Sequence, residues 1–216
     1  MHTARLDALM QACAGASVVA DVGCDHGYLV ALLAEKPETK HIYALDISPL
    51  SLAKTERLVH EKHLEPLVTC LVSNGLQALD GRVAERLDAV VIAGVGADEI
   101  ISIVSLMPES LEVGKIIVNS VQDVVKYKYR IMEFGWRITR DRVIKDAGKF
   151  YHIVTFEKGQ GEKSVADLTL GDYENTSDYF EYLQKKKASL LRRAKYAKDT
   201  DAEVLEKINF YLGEKI

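Results

Sequence analysis

The sequence predicts an α/β fold: one seven-stranded, mostly parallel sheet that ends in an antiparallel hairpin, followed by a C-terminal helical hairpin. Three observations predict it. Short β-rich apolar runs alternate with helical patterns as far as Phe134. Two further β-rich runs then follow each other across a short connection containing Gly148. Two amphipathic helical stripes close the chain.

Leu6, Leu9, Met10 and Cys13 recur at helical spacing, so the chain opens with an amphipathic helix that Gly15 ends. Ser17–Val22 reads as a strand, His26–Glu35 as a helix, His41–Asp46 as a strand and Pro49–His63 as a helix. Val68–Ser73 is the third strand, with a short helix expected over Gln77–Glu85. Asp88–Ala93 and Lys115–Asn119 are the next strands, each followed by a helix, Asp98–Ser105 and Val121–Phe134. Repeated strand–helix units of this length imply parallel strands with helices on both faces. Trp136–Ile144 and Phe150–Phe156, joined by Lys145–Lys149, read as an antiparallel hairpin.

Gly159–Gly171 is polar and Gly-containing, as a linker would be. Beyond it Tyr179, Phe180, Leu183, Leu190, Leu191 and Ala194 form one stripe, and Val204, Leu205, Ile208, Tyr211 and Leu212 a second. They suit either a coiled-coil-like hairpin or packing against the sheet. The expected division is a sheet domain over 1–158 and an arm over 172–216.

The 216 residues are 48% hydrophobic and 28% charged with a net charge of −4, the balance of a soluble globular chain. The longest apolar run, Ala89–Ala97, falls well short of the roughly 20 residues that span a bilayer. Arg5, Asp7 and Gln11 interrupt any leader-like N-terminus. Cys13, Cys24 and Cys70 show neither disulfide nor zinc-site spacing. A cytoplasmic protein without membrane contact or metal is expected.

The most informative stretch is Val18–Tyr28, where an apolar strand ends in an acid and a Gly turn opens straight into a helix. This is the phosphate-loop position of a nucleotide fold, but the Gly-x-Gly-x-x-Gly pattern is missing. Asp21 and Asp25 flank Gly23 and Gly27 and would repel a pyrophosphate. They suit a ligand with an ammonium, hydroxyls and a sulfonium, as S-adenosylmethionine has. Asp46, followed by Ile47, ends the second strand where an acid commonly holds ribose hydroxyls. Ser73, Asn74 and Gly75 close the third strand, beside an expected adenine edge. Ala93 and Gly94 close the fourth, at the expected methyl-transfer position. His26 and Tyr28 complete the predicted cofactor site.

On these residues the chain resembles the bacterial tRNA (adenine(22)-N1)-methyltransferases. The resemblance runs through Arg5-Leu6, Asp21–Leu29, Leu45-Asp46-Ile47 and Val91–Gly96, and less closely through Gly148–Tyr151. Asp25-His26-Gly27-Tyr28 is its most specific part. The chain departs from the family where Ala97 follows Gly94-Val95-Gly96, and over Val118–Gln122. The resemblance implies a Rossmann-like class I methyltransferase fold, S-adenosylmethionine as cofactor and tRNA as partner. Methylation at adenine N1 needs no strong base for attack, and the proton then lost from the exocyclic amine falls to Asp25 or His26. A small-molecule methyltransferase and a non-catalytic RNA-binding protein are the alternatives.

The net charge conceals segregation: −7 over residues 1–122 and +3 over 123–216. Lys126, Lys128, Arg130, Arg137, Arg140 and Arg142 form one basic cluster. Lys185, Lys186, Lys187, Arg192, Arg193 and Lys195 form another, with no acid between them. With Tyr127, Tyr129 and Tyr196 interleaved, they are candidate RNA contacts, against the alternative of solvated helix faces.

Overall fold

The computed structural model describes residues 3–83, 86–193 and 199–214. Helix α1 (Ala4–Ala12) is followed by strand β1 (Val18–Val22), helix α2 (Tyr28–Ala34), strand β2 (His41–Asp46), helix α3 (Pro49–Glu61) and strand β3 (Val68–Val72). Strand β4 (Leu87–Ala93), helix α4 (Ala97–Ser105), strand β5 (Val113–Ser120) and helix α5 (Val124–Glu133) continue the alternation. Strands β6 (Trp136–Asp146) and β7 (Lys149–Lys158) and helices α6 (Val165–Leu170), α7 (Ser177–Arg192) and α8 (Asp199–Leu212) complete the chain. The seven strands form one sheet in the order β3-β2-β1-β4-β5-β7-β6, parallel from β3 to β5 and antiparallel beyond.

Both sheet faces are covered, which is why β1 and β4 are apolar at nearly every position. Val18, Ala20, Val22, Val90 and Ile92 join Ile100, Val104, Tyr127 and Ile131 in one core. Val19, Ala89 and Val91 join Leu6, Leu9, Leu29, Leu33 and Leu52 in the other. The register sets Val22 beside Leu45 and Ile92, and Ala93 beside Asn119, so the carboxyl ends of β1, β2, β4 and β5 meet at one edge. The chain leaves β1 in opposite directions toward β2 and β4, and ligands bind in open sheets at such a switch point.

Three local expectations are corrected along the sheet. The helix expected over Gln77–Glu85 is a single 3-10 turn, Gln77–Leu79, and its expected end lies outside the described residues. The Ser73 hydroxyl accepts from Ala78 N at 3.1 Å and holds this segment as a loop. The β6–β7 connection is only Ala147-Gly148, both at positive φ, as two-residue hairpins prefer. Helix α5 starts at Val124 instead of Val121, because Ser120 and Gln122 close a turn on each other.

The expected linker holds helix α6. Ser164 and Asp167 cap it reciprocally, and Ala166, Leu168, Thr169 and Leu170 are buried. Ala166 and Leu170 share a third core with Val143 of β6 and with Tyr179, Tyr182, Leu183, Leu190, Val204 and Ile208 of α7 and α8. The two terminal helices do pack on each other, and the same core roots them on the sheet. Leu191, predicted on the apolar stripe, is exposed, and Ala194 lies outside the described residues.

Candidate cofactor and acceptor site

Residues 23–27 form the loop between β1 and α2. Gly23 N and Cys24 N both donate to Leu45 O, at 2.8 and 3.1 Å, so the loop bends over the end of β2. Gly27 has φ +70, and a Cβ there would lie 2.9 Å from the Thr55 methyl and 3.2 Å from its Cα. Thr55 in turn donates to Asp25 O at 2.6 Å, which fixes the loop onto α3. Asp46 accepts from Asp25 N at 3.3 Å and from Ser48 N at 2.8 Å, joining the same loop to the end of β2.

A cavity of about 260 Å³ opens at this loop, and Asp21, Gly23, Asp25, His26, Tyr28, Ala93 and Gly94 are among its lining residues. Asp21 is buried, and no donor among the described residues is found on its carboxylate. Burial, and then the negative charge of Asp46, push its carboxyl up to about 7. Asp25 is half-exposed, accepts from Lys54 Nζ at 2.7 Å and is held below the usual carboxylate range chiefly by that bond. His26 Nε2 lies 3.5 Å from Asp25 Oδ2, and the His26 ring stacks on Tyr28 with centroids 5.4 Å apart.

Asp46, Ile47, Ser73, Asn74 and Gly75 lie outside this lining, at or just beyond the ends of β2 and β3. Gly27 shapes the loop without lining the cavity. Ile47 and Asn74 are exposed, whereas Ser73 is buried and donates to Gly75 O at 2.8 Å. Ser73 therefore builds its loop, and Asn74 is the side chain left open to a ligand.

A second cavity, of about 270 Å³, adjoins the first. Gly94, Val95, Gly96, Asn119, Ser120, Val121 and Gln122 line it from the ends of β4 and β5, with Tyr151 from β7. Arg5 and Gly94 belong to both linings. An acidic cavity and a polar one that share Arg5 and Gly94 suit a two-substrate transfer.

A methyltransferase-domain family model matches residues 2–154. The chain belongs to the methyltransferase domain family. Solved structures share its architecture over nearly the whole length. Sp1610 of Streptococcus pneumoniae, in complex with S-adenosyl-L-methionine, is 24% identical with a TM-score of 0.84, covering 98% of this chain and 100% of that one. TrmK of M. capricolum, in complex with S-adenosyl-homocysteine, is 22% identical with a TM-score of 0.80, over 99% and 97% of the two chains. The m1A22 tRNA methyltransferase TrmK of B. subtilis is 18% identical with a TM-score of 0.71, over 99% and 96%. No curated protein sequence matches the chain.

The basic clusters of this methyltransferase differ from their sequence reading. Lys128 is fully buried, so it is withdrawn as an RNA contact. Its Nζ lies 2.6 Å from Asp141 Oδ2, 3.0 Å from His152 Nδ1 and 2.8 Å from Leu168 O. Burial works to raise the Asp141 carboxyl, but His152 and Lys128 outweigh it and hold it low. Burial, and then Lys128, push His152 below its ordinary range.

Lys126 pairs with Asp98, Arg130 with Glu133, Arg137 with Glu157, and Arg140 and Arg142 with Glu174. Lys185 pairs with Glu181 and Lys187 with Glu214, and Lys186 is half-buried. Arg192 and Arg193 are exposed with no acidic partner among the described residues, and Lys195 lies outside those residues.

Arg5, Lys54, Thr55, Asn119 and Tyr151 were not among the predicted site residues. Arg5 sits next to the apolar face of α1, and Lys54 and Thr55 are ordinary helix residues by pattern. Only the packing of α1, α3, β5 and β7 around the two cavities gives them a role.

Proposed function

We propose that this methyltransferase transfers a methyl group from S-adenosylmethionine to N1 of an adenine in tRNA, at position 22 by resemblance. The observation that carries the cofactor is Asp21, a buried carboxylate at the base of a cavity with no cation beside it. An uncompensated buried carboxylate is costly, and a cationic ligand removes that cost. When bound, S-adenosylmethionine supplies a methyl group on a sulfonium, an electrophile that needs no metal assistance.

The protein's part is placement. Asp21 attracts the positive end of the cofactor, Asp46 is offered to the ribose hydroxyls, and Ile47 and Asn74 are offered to the base. The second cavity receives the acceptor. Its neutral amides, Asn119 and Gln122, suit a base edge, and the Tyr151 ring suits its face. A base presenting N1 must leave its pair to enter. Adenine N1 attacks with its own lone pair, and the amine proton released afterwards goes to His26 at the rim. Asp25, already engaged by Lys54, is the weaker acceptor.

RNA grip is assigned to the arm over 172–216, led by Arg192 and Arg193, with the catalytic part over 1–158. Lys185 and Lys187 lie on the same arm, and Lys126, Arg130, Arg137, Arg140 and Arg142 on the catalytic part; all are ion-paired. Exposed pairs contribute only about 0–1 kcal/mol, so a phosphate can exchange for the carboxylate. A cytoplasmic setting follows from the substrate. The test is labelled S-adenosylmethionine with unmodified bulk tRNA, followed by primer extension across the labelled species. A stop at adenine 22 is expected. Label confined to small molecules, or none in any tRNA despite cofactor binding, would overturn the proposal.

A further inference from the structure

Asn119 is only 2% exposed at the end of β5, yet it belongs to the lining of the second cavity. Its Nδ2 donates to His152 O at 3.3 Å, and a backbone carbonyl can only accept. That bond fixes the amide, because turning it over would set Oδ1 against His152 O. His152 is itself held, with Asp141 Oδ1 2.8 Å from Nδ1 and the Tyr182 hydroxyl 3.2 Å from Nε2. Oδ1 is therefore the atom of Asn119 left for the cavity, and no donor among the described residues reaches it. A buried acceptor without a donor is costly, so a ligand that brings an N–H gains there. The neighbouring Ser120 hydroxyl is already used, donating to Gln122 O at 3.2 Å and accepting from Gln122 N at 3.3 Å.

The β4–β5 register sets Asn119 beside Ala93, and Ala93 lines the first cavity. A base whose ring nitrogen points toward that wall brings the substituent beside the nitrogen to Asn119. In adenine the substituent beside N1 is an amine, a donor. In guanine it is a carbonyl, and N1 carries a hydrogen instead of a lone pair. We infer that Asn119 selects adenine over guanine by accepting a hydrogen bond from the exocyclic amine on Oδ1. This rests on the reading of the second cavity as the acceptor site. Guanine would set its O6 against Oδ1, two acceptors with no proton between them. Methylation at N1 leaves the adenine ring cationic, and its amine then donates more strongly, so the bond tightens as the charge develops. The amine has two hydrogens, one for Oδ1 and one to be released.

The test uses the full chain and tRNA carrying adenine, guanine or purine at the methylated position; purine is adenine without its amine. Asn119→Ala is expected to lower kcat/KM on the adenine tRNA at least tenfold, mostly through kcat. On the purine tRNA it should change kcat/KM less than twofold, because there is no amine to lose. In filter binding with S-adenosylhomocysteine present, only the adenine tRNA should weaken. Asn119→Thr, whose oxygen ends one bond short of the amide's, should fall in the same direction. It carries the comparison if Asn119→Ala does not fold in thermal melts. Equal losses on adenine and purine tRNA, or no loss on either, overturn the assignment while the acceptor site stands. Methylation of the guanine tRNA as readily as the adenine one by the unaltered protein overturns it as well. Weakened S-adenosylhomocysteine binding places Asn119 on the cofactor and overturns it too. Failure of the unaltered protein to methylate the adenine tRNA overturns the acceptor reading and this inference together.

Discussion

Asp21 carries a conflict between stability and binding at a single residue. Its carboxyl, raised to about 7 against an ordinary 3.8, binds a proton more tightly in the folded chain than in the unfolded one. Its contribution to stability is therefore greatest below pH 4 and declines as pH rises toward 7. Asp21→Asn should stabilise the ligand-free protein at pH 8 by roughly 1–3 kcal/mol in urea melts. It should also weaken S-adenosylhomocysteine at least tenfold; unchanged affinity would move the ammonium site elsewhere. Lys128 is the opposite case, a buried cation with all its partners in place. Lys128→Ala leaves Asp141 uncompensated and should cost about 3–5 kcal/mol of stability. A loss under 1 kcal/mol would mean that water enters and solvates the pair.

At the scale of elements, the β1–α2 loop depends on α3 as much as on its own glycines. Gly27→Ala combines a positive φ with a Cβ pressed against Thr55. It should displace Asp25 and lower cofactor affinity at least tenfold; retained affinity would show that the helix yields instead. The end of α7 is the corresponding test for RNA. Replacing Arg192 and Arg193 with Glu should weaken tRNA binding and flatten its salt dependence by roughly 1–2 units of slope. S-adenosylhomocysteine binding should not change. An unaltered slope in filter-binding titrations would remove these arginines from the RNA surface.

Across the whole molecule, two buried groups oppose each other as pH falls. His152 is held below its ordinary 6.5, so its contribution is present above that value and is lost on acidification. Asp21 acts in the reverse direction between pH 7 and 4. The unaltered protein should therefore show a shallow Tm profile between pH 7 and 5. Asp21→Asn leaves the His152 contribution unopposed and should show a steeper fall. Parallel profiles would deny one of the two shifts.

The sheet was legible because its causes are local. Continuous apolar runs with both faces covered, glycines at forced turns and acids at strand ends mark β1–β5 and the cofactor loop within a residue or two. Asp21, Gly23, Asp25, His26 and Tyr28 were recognisable for the same reason: one short segment brings them together. Lys128 was not, because its sequence neighbours say nothing of Asp141, His152 or Leu168, which arrive from three other elements. Helix α6 was hidden in a polar stretch whose Ser164–Asp167 capping signal is short and whose apolar face is formed only by packing against β6, α7 and α8. Arg5, Thr55 and Tyr151 gain their roles through α1, α3 and β7.

The sequence by itself determined the order of the strands, the edge of the sheet that carries the acidic loop and the acids placed there. Tertiary structure decided which cations remain unpaired, because burial and pairing depend on partners far apart in the chain.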